Sequence, residues 1–190
     1  ACSNVIAGTA TITVRPTPTA SISGTTTVCQ LAASPNVTFT NGMALPVTIT
    51  YNINGGANTT INVGASTPAT VAAPTGTAGV FAYNLVDVFY QAAPTCTNTI
   101  AGAATITVTA TVGTPTVPAP ATTTICQGSV PTAYTTSATD ATTYNWSVTG
   151  AGNSIAGTGT TGTVTWGAAF TGTATVSVTA NGCNGPSGSN

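Results

Sequence analysis

The chain has 190 residues, of which only Arg15, Asp87 and Asp140 are charged; it has no histidine, and its net charge is −1. One arginine cannot neutralise the several phosphates that nucleic-acid affinity needs, nor hold an anionic membrane surface, and no apolar run approaches the ~18 residues of a membrane-spanning helix. With 42% hydrophobic residues, threonine the commonest residue and valine and isoleucine frequent, the composition is that of a β-former, whereas disordered chains are charged and poor in β-branched side chains.

No charged region followed by an apolar run and cleavage site opens the chain, so a mature chain or a fragment is expected. Residues 1–14 read as the last strand of a preceding or neighbouring domain. Their pattern Cys2-Ser3-Asn4-Val5-Ile6-Ala7-Gly8-Thr9-Ala10-Thr11-Ile12-Thr13-Val14 returns 94 residues later as Cys96-Thr97-Asn98-Thr99-Ile100-Ala101-Gly102-Ala103-Ala104-Thr105-Ile106-Thr107-Val108. Residues 15–18, Arg-Pro-Thr-Pro, read as a stiff extended linker. A first domain is expected over 19–112, with strands Val37 to Thr40, Val47 to Ile53, Thr60 to Val63, Gly79 to Tyr90 and Ala104 to Val112. A second proline-rich linker covers 113–120. The second domain, 121–190, opens with an echo 97 residues on, where Thr25-Thr26-Thr27-Val28-Cys29-Gln30 returns as Thr122-Thr123-Thr124-Ile125-Cys126-Gln127. Its expected strands are Ala133 to Ser137, Thr142 to Thr149, Gly162 to Trp166 and Gly172 to Ala180.

Two matches at nearly one period mean tandem domains. Short alternating runs bounded by Gly, Pro and Asn clusters, without a 3.6-residue apolar period, predict an all-β chain of immunoglobulin-like β-sandwiches with almost no helix. Cys96 is followed by a strand through Val108, whereas Cys183 is followed only by Asn184-Gly185-Pro186-Ser187-Gly188-Ser189-Asn190, so the second domain is expected to lack its final strand. Two explanations stand: the chain is a window of a longer repetitive protein, or residues 1–14 of one molecule complete the second domain of its neighbour by strand addition.

Five cysteines with no histidine and no close Cys-x-x-Cys pair disfavour zinc. The repeat equivalences suggest Cys29 with Cys96 and Cys126 with Cys183, leaving Cys2 unpaired or intermolecular; the alternative is a reduced buried thiol at each site. Loops of about 60 residues closed in this way would stabilise by about 4 kcal/mol in the chain-entropy model. Disulfides would place the chain in an oxidising compartment, extracellular or periplasmic, and the cell surface is the expected location.

The run Pro46-Val47-Thr48-Ile49-Thr50-Tyr51-Asn52-Ile53-Asn54-Gly55-Gly56 after Cys29 resembles the Ig-like repeats of large secreted surface proteins of Bacteroidota. The second unit is similar to their PKD-like repeats through Tyr144-Asn145-Trp146-Ser147-Val148-Thr149-Gly150, Val164-Thr165-Trp166 and Val176-Ser177-Val178-Thr179-Ala180-Asn181-Gly182-Cys183; it departs from the PKD signature in having no Asp-Gly turn after Trp146. The resemblance implies a module of a gliding-adhesin type protein exported by the type IX system, with no catalytic residues.

Without His, Lys or Glu, and with its two aspartates far apart in sequence, the chain holds no acid, base or triad constellation, so no catalytic residue, metal or cofactor is expected. Asp87 reads as a polar strand or turn residue rather than a calcium ligand, since calcium wants clustered oxygens, and Asp140 as a turn residue. Trp146 reads as core, whereas Trp166 divides between core and a sugar-stacking platform; Tyr51 is a second candidate glycan contact. Asn36-Val37-Thr38, Asn58-Thr59-Thr60 and Asn145-Trp146-Ser147 fit the N-glycosylation pattern but are read as unmodified, with O-linked sugar on threonine an alternative.

The functional expectation is a structural or adhesive repeat of an extracellular surface protein or filament. It would act as spacer and self-association module, head to tail or laterally, because a surface of hydroxyls and amides lacks the charge repulsion that keeps monomers apart. A glycan-binding module is the alternative. An ice-binding face on Thr105-Ile106-Thr107-Val108-Thr109 is a third.

Overall fold

Alternation of Thr, Val and Ile between turn residues produces fourteen strands and no helix among the described residues. The structure, a computed structural model, describes residues 1–2 and 8–188. The strands are β1 (Ser21–Ser23), β2 (Thr26–Cys29), β3 (Asn36–Thr40), β4 (Val47–Ile53), β5 (Thr59–Val63), β6 (Pro68–Ala72), β7 (Gly79–Tyr90), β8 (Thr97–Thr99), β9 (Ala103–Thr109), β10 (Thr132–Thr135), β11 (Thr143–Val148), β12 (Ser154–Ala156), β13 (Thr161–Thr165) and β14 (Val176–Asn181).

They form four sheets: β1-β3-β6, β10-β13-β12, β11-β14, and a larger one ordered β2-β9-β7-β4-β5 with β8 also on β7. Most pairings are antiparallel. The exception is β2 with β9, which run parallel with Thr26 opposite Ile106 and Cys29 opposite Thr109. The β4–β5 connection begins with Asn54 and Gly55, both at positive φ, the backbone that a right-twisted hairpin prefers.

The chain packs as two compact units, and neither is a contiguous segment. The first comprises Ala1–Thr25, Asn36–Ala72 and Phe81–Thr105; the second comprises Thr26–Pro35, Ala73–Val80 and Ile106–Asn190. The core of the first is the alternate residues of facing sheets: Val37 and Phe39 from β3, Val47, Ile49 and Tyr51 from β4, and Tyr83, Val88 and Tyr90 from β7, all buried. Phe39 and Tyr51 join the two sheets with ring centroids 4.7 Å apart. In the second unit Val112, Tyr144, Val178 and Ala180 form a buried cluster against which Trp146 packs.

Strands β4 and β7 have the expected bounds, and β3, β5, β10, β11 and β13 lie within a few residues of theirs. The expected strand Ala104 to Val112 stops at Thr109, and Gly172 to Ala180 begins only at Val176, after Gly172 takes a φ of +108°. The short strands β1, β2, β6, β8 and β12 have no counterpart in the pattern analysis. Of the strand expected over residues 1–14, residues 3–7 lie outside the described residues, and 8–14 form no strand.

The two proline-rich stretches are hydrogen-bonded to their own units. Arg15 donates to the Ala92 and Pro94 carbonyls at 2.7 and 3.2 Å, Tyr90 Oη donates to the Pro16 carbonyl, and Asn98 donates to that of Pro18. In the other unit, residues 113–119 run beside 135–139 through Gly113 to Thr139, Thr116 to Ser137 and a reciprocal Ala119–Thr135 pair.

Candidate functional site

The cysteine pairing differs from the expected one. Cys29 is bonded to Cys183, with Cα atoms 5.2 Å apart, and neither Cys29–Cys96 nor Cys126–Cys183 forms. Cys2, Cys96 and Cys126 are free thiols. The segment that follows β2 packs with the chain around Cys183: Asn184 Nδ2 donates to the Gln30 carbonyl and to Thr111 Oγ1, each at 2.8 Å, and the Val112 amide donates to the Cys183 carbonyl. Repeat equivalence could not show this, because it relates positions between copies without saying which copies share a core.

Asp87 lies on β7 beside the bulge at which the β4 register slips between Thr50 and Tyr51. Its Oδ1 is buried and has no hydrogen-bond partner. Asp140 occupies a turn at φ +55°, as its side chain tolerates. Among the described residues no three His, Cys, Asp or Glu side chains gather into a metal-binding group.

Of the two candidate glycan contacts, Tyr51 is only 5% exposed, with the rings of Phe39 and Tyr83 packed near it, so it is not open to a sugar. Burial, and secondarily the neighbouring Tyr51, push the Tyr83 hydroxyl above its ordinary value of 10.0. The threonines of the ice-binding candidate, Thr105, Thr107 and Thr109, are half-buried on β9.

Trp166, by contrast, is half-buried at the wall of a groove. It follows β13, its Nε1 donates to Thr132 Oγ1 at 3.0 Å, and its ring stacks on Phe170 with centroids 6.3 Å apart. Phe170 can lie there because residue 150 is glycine: a Cβ on Gly150 would stand 2.5 Å from its ring. Asn153 ties the surrounding turns, donating to the Thr149 carbonyl and accepting from the Gly167 amide. Trp146 is spent differently, with Nε1 donating to the Gly159 carbonyl and its ring lying over Gly162 of β13.

The groove beside Trp166 has a volume of about 770 Å³. It is lined by the extended stretch 122–126, exposed and in no strand, by Thr173 to Val176 leading into β14, and by Tyr134, Trp166 and Phe170. Polar hydroxyls and apolar rings share this lining, and among the described residues no charged side chain contributes to it. The lining offers backbone groups and apolar rings for contact, and no charge. No protein-family model, curated protein or solved structure matches this chain.

Proposed function

We propose that this chain is a structural and adhesive repeat of an extracellular surface protein or filament, built from two tandem Ig-like and PKD-like β-sandwich modules, and that it works by self-association. The observation that carries the reading is the near-absence of charge on a folded all-β chain, with three charged side chains in 190 residues. Like-charge repulsion is a main device that keeps β-proteins apart, so a chain without it is suited to assembly. The Cys29–Cys183 bond supports an oxidising compartment. The reading assigns no catalysis to this chain, since it has neither histidine, lysine nor glutamate to move a proton. Sedimentation velocity across a concentration series tests it: oligomers that grow with concentration are expected, and a monodisperse monomer up to millimolar concentration overturns the reading.

A second reading is a glycan-binding module, favoured by one observation, the stacked Trp166–Phe170 pair at an open groove. Here the expected result is binding on a glycan array that is lost in Trp166→Ala.

A further inference from the structure

In the first repeat, β9 fills the slot between β2 and β7. It pairs in parallel with β2 and buries Ala104, Ile106 and Val108 almost completely, at 0, 0 and 3% exposure. The counterpart of β2 in the second repeat is Thr123 to Cys126, and that of β7 is β14. Thr123 to Cys126 and Val176 of β14 line the groove described above, and among the described residues β14 pairs with no strand but β11. Strand β14 is paired with β11 along one edge; on its other edge Ser187 donates to the Ala180 carbonyl near the end of the strand, while the start at Val176 borders the groove.

A near-copy of β9 stands elsewhere in the same chain. Residues 8–14, Gly-Thr-Ala-Thr-Ile-Thr-Val, match 102–108, Gly-Ala-Ala-Thr-Ile-Thr-Val, at six of seven positions. In the structure this copy forms no strand, and Ile12 and Val14, the equivalents of Ile106 and Val108, are 86% and 85% exposed. Alternation of bare apolar residues with threonine is the pattern of a half-buried strand without its sheet.

We infer that residues 8–14 of one copy of this chain insert as a strand into the groove of a second copy, parallel to Thr123–Cys126 and alongside β14. The β2–β9 register carries over directly. Ile12 stands opposite Thr123, Thr13 opposite Thr124 and Val14 opposite Ile125 of the acceptor. Ala10, Ile12 and Val14 face the groove toward Trp166 and Tyr134, and Thr11 and Thr13 face away. Donor segment and acceptor groove are different surfaces, so the contact is head to tail, and it propagates as a filament wherever successive rotations do not close a ring. This rests on the self-association reading and supplies its mechanism.

The test uses the full chain in four variants. Ile12→Asn/Val14→Asn is expected to remain a folded monomer where the parent chain polymerises, and Thr11→Asn/Thr13→Asn to polymerise like the parent. A synthetic peptide of residues 8–15 added to the Ile12→Asn/Val14→Asn chain is expected to bind one to one and to shift the Trp166 fluorescence. In a background with Cys2, Cys96 and Cys126 replaced by serine, Thr13→Cys and Thr124→Cys chains mixed together are expected to cross-link, since paired residues lie within disulfide reach. Polymerisation unaffected by Ile12→Asn/Val14→Asn, or affected equally by both double variants, overturns strand insertion while leaving self-association standing. A parent chain that never associates, with no peptide binding, overturns both readings. A native polypeptide whose continuation past Asn190 occupies the groove overturns exchange between copies.

Discussion

Gly162 shows how one missing side chain positions an aromatic ring. Its ideal Cβ would stand 2.5 Å from Trp146 Cδ2, so Gly162→Ala must push the indole off β13 and strain its bond to Gly159. A loss of about 1–3 kcal/mol is expected, the usual cost of overpacking, read as a lower unfolding midpoint in denaturant with a changed tryptophan emission. Gly159 has open space where its Cβ would go, so Gly159→Ala serves as the control and is expected to be near neutral. Tyr83 carries the pH dependence that can be signed. Its hydroxyl ionises at higher pH in the folded chain than its ordinary value of 10.0, because burial disfavours the charged form and Tyr51 adds to this. The unfolded chain therefore releases the proton first, so the contribution of Tyr83 to stability is complete below pH 10 and is lost as pH rises through the folded value. Denaturation at pH 9 and 11 is expected to show a drop that Tyr83→Phe reduces.

Between elements, the Cys29–Cys183 bond ties the end of β2 to the chain just after β14, 154 residues away in sequence. Closing so long a loop restricts the unfolded chain strongly, and Cys29→Ser is expected to cost about 2–5 kcal/mol. Cys96→Ser and Cys126→Ser are each expected to leave the unfolding midpoint nearly unchanged. A non-reducing peptide map showing Cys29 joined to Cys96 would refute the pairing. The parallel β2–β9 pair has the same logic: β2 is four residues of Thr-Thr-Val-Cys, too short to stand alone, and its place beside β9 is decided by what β9 leaves unpaired. The period-two runs of β4 and β7 were legible in the sequence, as were the shorter β3, β5, β10 and β13, whereas β1, β2, β6, β8 and β12 were not.

For the whole molecule, three charges in 190 residues mean that any association runs on backbone pairing and apolar contact. Assembly is then expected to change little between about 0.01 and 1 M ionic strength, a range over which the Debye length falls from about 30 to 3 Å. Light scattering that collapses with added salt would show that electrostatics hold the assembly. The sequence alone determined the all-β class and carried the two internal echoes, because composition and periodicity are local properties that every residue reports. It also singled out Trp166, whose place after an alternating strand is a local signal. Tertiary structure alone decided that Cys29 pairs with Cys183, that Tyr51 is buried against Phe39 and Tyr83, and that Trp166 stands beside a groove with Phe170 stacked on it. Each of these depends on which distant segments share a core, and that choice is made by the burial of facing surfaces, a non-directional force that leaves no mark at a single position in the chain.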